Sequence, residues 1–132
     1  MISPLTPVDT LPKTSPVKIL LVDDNVDAAD TMQALLEMDG YEVKVAYGGL
    51  AAVEAARRVQ HDIVVMDIGM PGMNGYEAAR LIRGLPGNET VRLVALTGWG
   101  ESTDRQLASD AGFNDHLVKP VDYALLLKCL ES

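Results

Sequence analysis

An open α/β fold, with a parallel sheet covered by helices on both faces, is predicted by three features of this sequence. Five short apolar runs alternate with five segments of helical pattern. Turn residues separate them. The apolar runs are too short for helices and are not long enough to span a bilayer. Four of the five runs end on a side chain able to do chemistry: Asp23–Asp24, Asp67, Thr97 and Lys119.

The elements follow in order. Residues 17–22 form a short apolar run, broken only by Lys18, and stop at Asp23–Asp24, as a buried strand would. Residues 25–39 place Ala28, Ala29, Met32, Leu35 and Leu36 at helical spacing, and Gly40 stands where a helix C-cap glycine belongs. Residues 41–47 read as a strand with Val43 and Val45 on one face. Residues 50–60 are Ala-rich and helical, with Leu50, Val53 and Ala56 or Arg57 one turn apart. Residues 62–66 form a second buried strand ending at Asp67. A Gly- and Pro-bearing loop, 68–74, leads to a helix at 75–85, which Pro86–Gly87–Asn88 breaks. The remaining elements are a strand at 91–96 ending at Thr97, a polar helix at 101–111, a strand at 113–118 ending at Lys119, and a helix at 121–130. Crossovers between parallel strands are right-handed, which limits the topologies to a few.

Composition narrows the function. The chain has 132 residues, 48% of them hydrophobic, enough for one domain on a single core. A net charge of -8 argues against a nucleic-acid surface, which needs clustered Lys and Arg. The one cysteine, Cys129, excludes an internal disulfide and a Cys-type metal centre and suits a reducing cytoplasm. No leader pattern opens the chain, and no membrane insertion is expected. Residues 1–16 hold Pro4, Pro7, Pro12 and Pro16 among Thr and Ser. They are expected to form a flexible or extended tail, either without a role or as a linker to an upstream domain. Residues 17–132 are then the functional unit.

In an open parallel sheet the strand C-termini share one edge, and ligands bind there where the strand order reverses. Asp23, Asp24 and Asp67 therefore crowd together, with Thr97 and Lys119 opposite. Like charges at close range resist joint ionisation, and a hard divalent cation relieves this. An ammonium and a hydroxyl suit phosphoryl oxygens, and a carboxylate is a competent phosphoryl acceptor. Each residue alone is a weak signal, since a strand-end Asp is usually a helix N-cap. Their order at successive strand ends carries the reading of phosphoryl transfer to a carboxylate.

On these motifs the chain resembles the response-regulator receiver domain of two-component signalling. The matching stretches are Ile19 to Asn25, Met66 to Glu77, Ala95 to Gly98 and Val118 to Pro120, and the likeness runs over residues 17–130. It implies a flavodoxin-like (βα)5 three-layer sandwich with sheet order 2-1-3-4-5 and a cis Lys119–Pro120 bond. It implies Asp67 as phosphoacceptor, with magnesium or manganese held by Asp24, Asp67 and the Gly69 carbonyl, and by Asp23 through water. Thr97 and Lys119 would bind the phosphoryl group. The donor would be a sensor histidine kinase or a histidine-phosphotransfer domain. The output would be a moved surface on the fourth helix, fifth strand and fifth helix, docking a target protein or a second copy. Such a domain is no enzyme beyond its own phosphorylation and dephosphorylation. The stretches 95–100 and 112–116 resemble receivers fused to hybrid kinases, although a free-standing regulator fits as well.

Three positions depart from the common pattern. His116 stands where many receivers carry an aromatic switch residue; it is either a variant switch or a surface strand histidine. Gly69 leaves one side of the acceptor open. Trp99, two residues after Thr97, either shields the acyl phosphate or is an exposed loop indole. Tyr123, Leu126, Leu127 and Leu130 give the last helix two apolar aspects, either all core or partly a docking patch. His61 is expected only to flank the third strand. Rival readings fare worse. A haloacid-dehalogenase-like hydrolase needs a second Asp at position 69, a flavodoxin-like mononucleotide carrier would set three acids against its phosphate, and a degenerate receiver would lack part of the set of five. The 23–27 stretch lacks the Gly and closing Glu of a calcium loop, and no Walker-type run is present.

Overall fold

The computed structural model describes residues 16–98 and 105–131. Strands and helices alternate: β1 (Lys18–Val22), α1 (Val26–Met38), β2 (Glu42–Ala46), α2 (Gly49–Arg58), β3 (Ile63–Asp67), α3 (Gly75–Arg83), β4 (Arg92–Thr97), α4 (Arg105–Ala111), β5 (Asp115–Val118) and α5 (Tyr123–Glu131). The strands make one parallel sheet in the order β2-β1-β3-β4-β5, with the expected 2-1-3-4-5 topology. The reversal between β1 and β3 opens the crevice that such sheets use for ligands.

Side chains alternate across each strand, so the central strands feed two cores. Leu20, Val22, Val64, Met66, Leu93 and Ala95 meet α2, α3 and α4 through Ala52, Val53, Ala56, Ala78, Ala79, Ile82 and Ala108. Ile19, Leu21, Ile63, Val65, Val94 and Leu96 meet α1 and α5 through Leu36, Leu126 and Leu130. The result is three layers with two buried clusters, one per sheet face, rather than the single core that composition suggests.

Local chemistry sets the helix ends. Asn25 caps α1, its side chain accepting the Ala28 N–H at 3.0 Å, and Gly40 leaves that helix at φ 95°. Asn74 and Glu77 form a reciprocal capping box at the start of α3, at 3.0 and 3.1 Å. At the other end of α3, the Arg83 guanidinium donates to the carbonyls of Asn88, Glu89, Val91 and Gly112 and to the Asn114 side chain. It thereby ties the loop before β4 to the loop before β5.

Several expectations need correction. Leu50 is 65% exposed; the buried face of α2 is Gly49, Ala52, Val53 and Ala56, because the small residues let the helix sit close to the sheet. Leu35 faces outward at 38%. The fifth strand begins at Asp115, with Phe113 turned into the core and edge-on to Tyr76. Tyr123, Leu126, Leu127 and Leu130 all pack on one cluster, the all-core alternative for these four, while Leu125 on the same helix is 52% exposed. His61 flanks β3 as expected, but it is buried at 6%, and its Nδ1 has no hydrogen-bond partner. Residues 1–15, which hold most of the proline-rich tail, residues 101–104 of the expected fourth helix, and Trp99 lie outside the described residues. Among the described residues no helix is long and apolar enough to cross a membrane.

Candidate functional site

The crevice collects residues from four strand ends. Asp23 follows β1, and its Oδ1 accepts the Asn25 N–H at 2.9 Å, so the residue that caps α1 also orients this carboxylate. Asp67 closes β3, a strand buried along its whole length, and is itself 3% exposed. Its Oδ1 accepts the Gly69 N–H at 3.1 Å and its Oδ2 accepts Lys119 Nζ at 2.9 Å. The Lys119 N–H donates to the Thr97 carbonyl at 2.7 Å, which seats the lysine beside the end of β4. The Lys119–Pro120 bond is cis, as the resemblance implies. Thr97 is 2% exposed, and its hydroxyl donates to the Leu117 carbonyl at 3.4 Å.

Carboxylate oxygens of Asp23, Asp24 and Asp67 lie within 4.8 Å of one another, Asp24 being the exposed member. Burial raises the Asp23 pKa; the Asn25 N–H opposes this, and the charge of Asp67 adds to it. Burial works to lower the Lys119 pKa, but the hydrogen bond to Asp67 and the charges of Asp67, Asp23 and Asp24 outweigh it and raise the value. The cluster is thus an electron-rich hollow with one cation supplied from the protein. Oxygens around an octahedral magnesium ion sit roughly 3–4 Å apart. The three carboxylates need only side-chain adjustments to reach that spacing, and an all-oxygen donor set suits a hard cation. These residues fit the ion.

The family model of the response regulator receiver domain matches residues 19–131. The chain belongs to the response-regulator receiver family. It is 39% identical over 114 residues to an uncharacterized 14.6 kDa protein of Leptolyngbya boryana, covering 86% of this chain and 87% of that one. It is 35% identical over 115 residues to the protein PilH of Pseudomonas aeruginosa, covering 87% and 95%. The solved receiver domain of the sensor histidine kinase PA1611 from Pseudomonas aeruginosa, with a magnesium ion coordinated in its active-site cleft, superposes at a TM-score of 0.80 with 36% identity, covering 89% of this chain and 96% of that one. Receiver domains bind magnesium in the active site and work with histidine kinases or phosphotransfer partners.

Of the receiver positions singled out from sequence, Asp23, Asp24, Asp67, Gly69 and Lys119 come together in the crevice, with Thr97 at its wall. His116 sits apart, half-buried on β5, in a hollow lined by Ala108, Ser109, Phe113, Asn114 and Asp115. It pairs in register with Ala95. A cavity of about 250 Å³ between α1 and the segment after β5 borders the crevice at Asp23 and Lys119, while a larger one of about 440 Å³ between β2 and α2 lies away from the acids. Sequence reasoning missed Gly75. A side chain there would lie 2.7 Å from Ile68 Cα and 2.8 Å from the Asp67 carbonyl, so its absence lets α3 start against Asp67. The Asn74-x-x-Glu77 capping box beside it was a legible signal.

Proposed function

We propose that this receiver accepts a phosphoryl group from a phosphohistidine onto Asp67 and answers by moving its α4–β5–α5 face. The observation that carries this is the placement of Asp67: a buried carboxylate at the end of the central strand, clustered with Asp23 and Asp24 and 2.9 Å from Lys119 Nζ. In transfer, an Asp67 oxygen forms the new P–O bond as the donor's P–N bond breaks, and the imidazole leaves with the electron pair. Asp24, Asp67 and the Gly69 carbonyl would hold magnesium or manganese, with Asp23 acting through water. When bound, the ion supplies charge for the phosphoryl oxygens. Lys119 supplies the second positive group and must exchange Asp67 Oδ2 for a phosphoryl oxygen. Thr97 leaves the Leu117 carbonyl to bond the phosphoryl group. His116 is the neighbour of Leu117 on β5, so that rearrangement reaches it directly. A new charge biases a surface between two arrangements.

The test is intact mass after incubation with acetyl phosphate, with and without magnesium, for the wild type and Asp67→Asn, repeated with a phosphorylated histidine donor. A magnesium-dependent gain of about 80 Da, absent in the variant, is expected from addition of one phosphoryl group. No gain with either donor refutes the proposal.

A further inference from the structure

Two adjacent glycines open α2, and they differ in what surrounds them. Gly48, the N-cap, is extended at φ 178°, and nothing lies within 4 Å of where its side chain would be. Gly49 is buried. A Cβ there would sit 2.6 Å from the Met73 carbonyl oxygen and 3.1 Å from Met73 Cβ and Cγ. Gly49 is not in the left-handed region, so the backbone does not demand glycine; only the contact does. That contact belongs to the 68–74 loop, which carries the Gly69 carbonyl. The loop is pinned to β4 by the Ile68 N–H on the Leu96 carbonyl at 2.9 Å. At its far end it is pinned to α3 by the Asn74–Glu77 capping box. Between these pins Pro71 and Gly72 are exposed, and Met73 is where the loop rests on α2.

We propose that Gly49 is a positioning residue for the metal: its missing side chain lets the 68–74 loop lie against α2 at the depth where the Gly69 carbonyl meets the ion. This rests on the metal reading given above. Moving the Met73 oxygen from 2.6 Å to an ordinary 3.4 Å displaces the loop by about 0.8 Å. Magnesium holds its ligands to near-ideal octahedral geometry, and sites tolerate errors of only about 0.5 Å, so a loss of affinity of about fivefold or more is expected.

The experiment is a magnesium titration of the full 132-residue chain followed by amide NMR shifts, on wild type, Gly49→Ala, Gly48→Ala and Met73→Gly. Before metal is added, Gly49→Ala should shift the amides of residues 69–74, and Gly48→Ala should not. Gly49→Ala should then bind magnesium about fivefold or more weakly, with Gly48→Ala within twofold of wild type. Met73→Gly keeps the carbonyl but removes the Met73 Cβ and Cγ that also rest on Gly49, loosening the same seat from the partly exposed loop side, and it too should weaken binding, which decides the matter if Gly49→Ala does not fold. Wild-type affinity in a folded Gly49→Ala, or in Met73→Gly where Gly49→Ala is unfolded, overturns the role of Gly49 alone. A wild-type chain that binds no magnesium overturns the metal reading and this one with it.

Discussion

Replacing Lys119 with methionine separates the charge chemistry of the crevice from its shape. Methionine keeps most of the apolar stem and removes the ammonium that lies 2.9 Å from Asp67 Oδ2. Breaking a buried ion pair by removing one partner costs about 3–5 kcal/mol, because the other charge stays behind unpaired. Asp67 meets that condition, with its side chain 4% exposed, but the Lys119 side chain is 34% exposed and solvent screens part of the interaction. A loss of about 2 kcal/mol in metal-free buffer is the expected figure. Asp23 and Asp24 add to it, since they now share the hollow with no cation. The assay is urea unfolding of wild type, Lys119→Met and Lys119→Met/Asp67→Asn, each with chelator and with saturating magnesium. The double variant should recover most of the loss. Magnesium at about 100 times its Kd stabilises a folded binder by about 2.7 kcal/mol; with the competing ammonium gone, Lys119→Met should bind the ion more tightly than wild type, gain more at the same magnesium concentration, and so narrow the gap. A Lys119→Met protein as stable as wild type in chelator would refute the view that the lysine is the counterion of the metal-free crevice.

Two further predictions come from other parts of the fold. Gly75→Ala should cost about 1–3 kcal/mol in urea unfolding, since its side chain would meet backbone at 2.7 and 2.8 Å, whereas Gly84→Ala, with ordinary contacts at 3.5 and 3.6 Å and φ -81°, should be neutral or stabilise by up to about 1 kcal/mol; equal effects would undo the steric account. Burial lowers the His61 pKa from its ordinary 6.5, so the unfolded chain takes up a proton at a higher pH than the folded one. The neutral histidine's contribution is therefore kept above about pH 6.5 and lost as pH falls toward the folded-state value. The wild type should lose urea stability relative to His61→Leu between pH 7.5 and 5.5, and parallel curves for the two proteins would show that His61 is not the group responsible.

The parts of this fold legible in the sequence were those fixed by local repetition. Runs such as 19–22 and 63–66 read as strands because every residue is apolar on both faces, and the acids at their ends share one crevice because parallel strands share a direction. What failed depended on contacts between distant segments. An Ala-rich helix offers several equivalent stripes, and spacing that sets Leu50, Val53 and Ala56 one turn apart does not show that Leu50 stays exposed while Ala52, Val53 and Ala56 pack on the sheet. His61 was read from its place before a strand, yet its burial comes from packing that no local pattern reports. Gly49 and Gly75 are required by backbone outside their own helices, at Met73 and at Asp67–Ile68, and a glycine's reason for being there is invisible to periodicity.

The sheet also grades the site mechanically. Asp67 ends β3, buried at every position and flanked on both sides by strands, while Lys119 follows β5, an edge strand of four residues none of which is fully buried. Thr97 stands between, at the end of the strand that joins them. Elements with few buried contacts open most readily. Asp67 is therefore anchored in the most deeply buried strand of the sheet, while Thr97 and Lys119 stand progressively nearer its edge, so local opening costs least at the Lys119 end of the crevice.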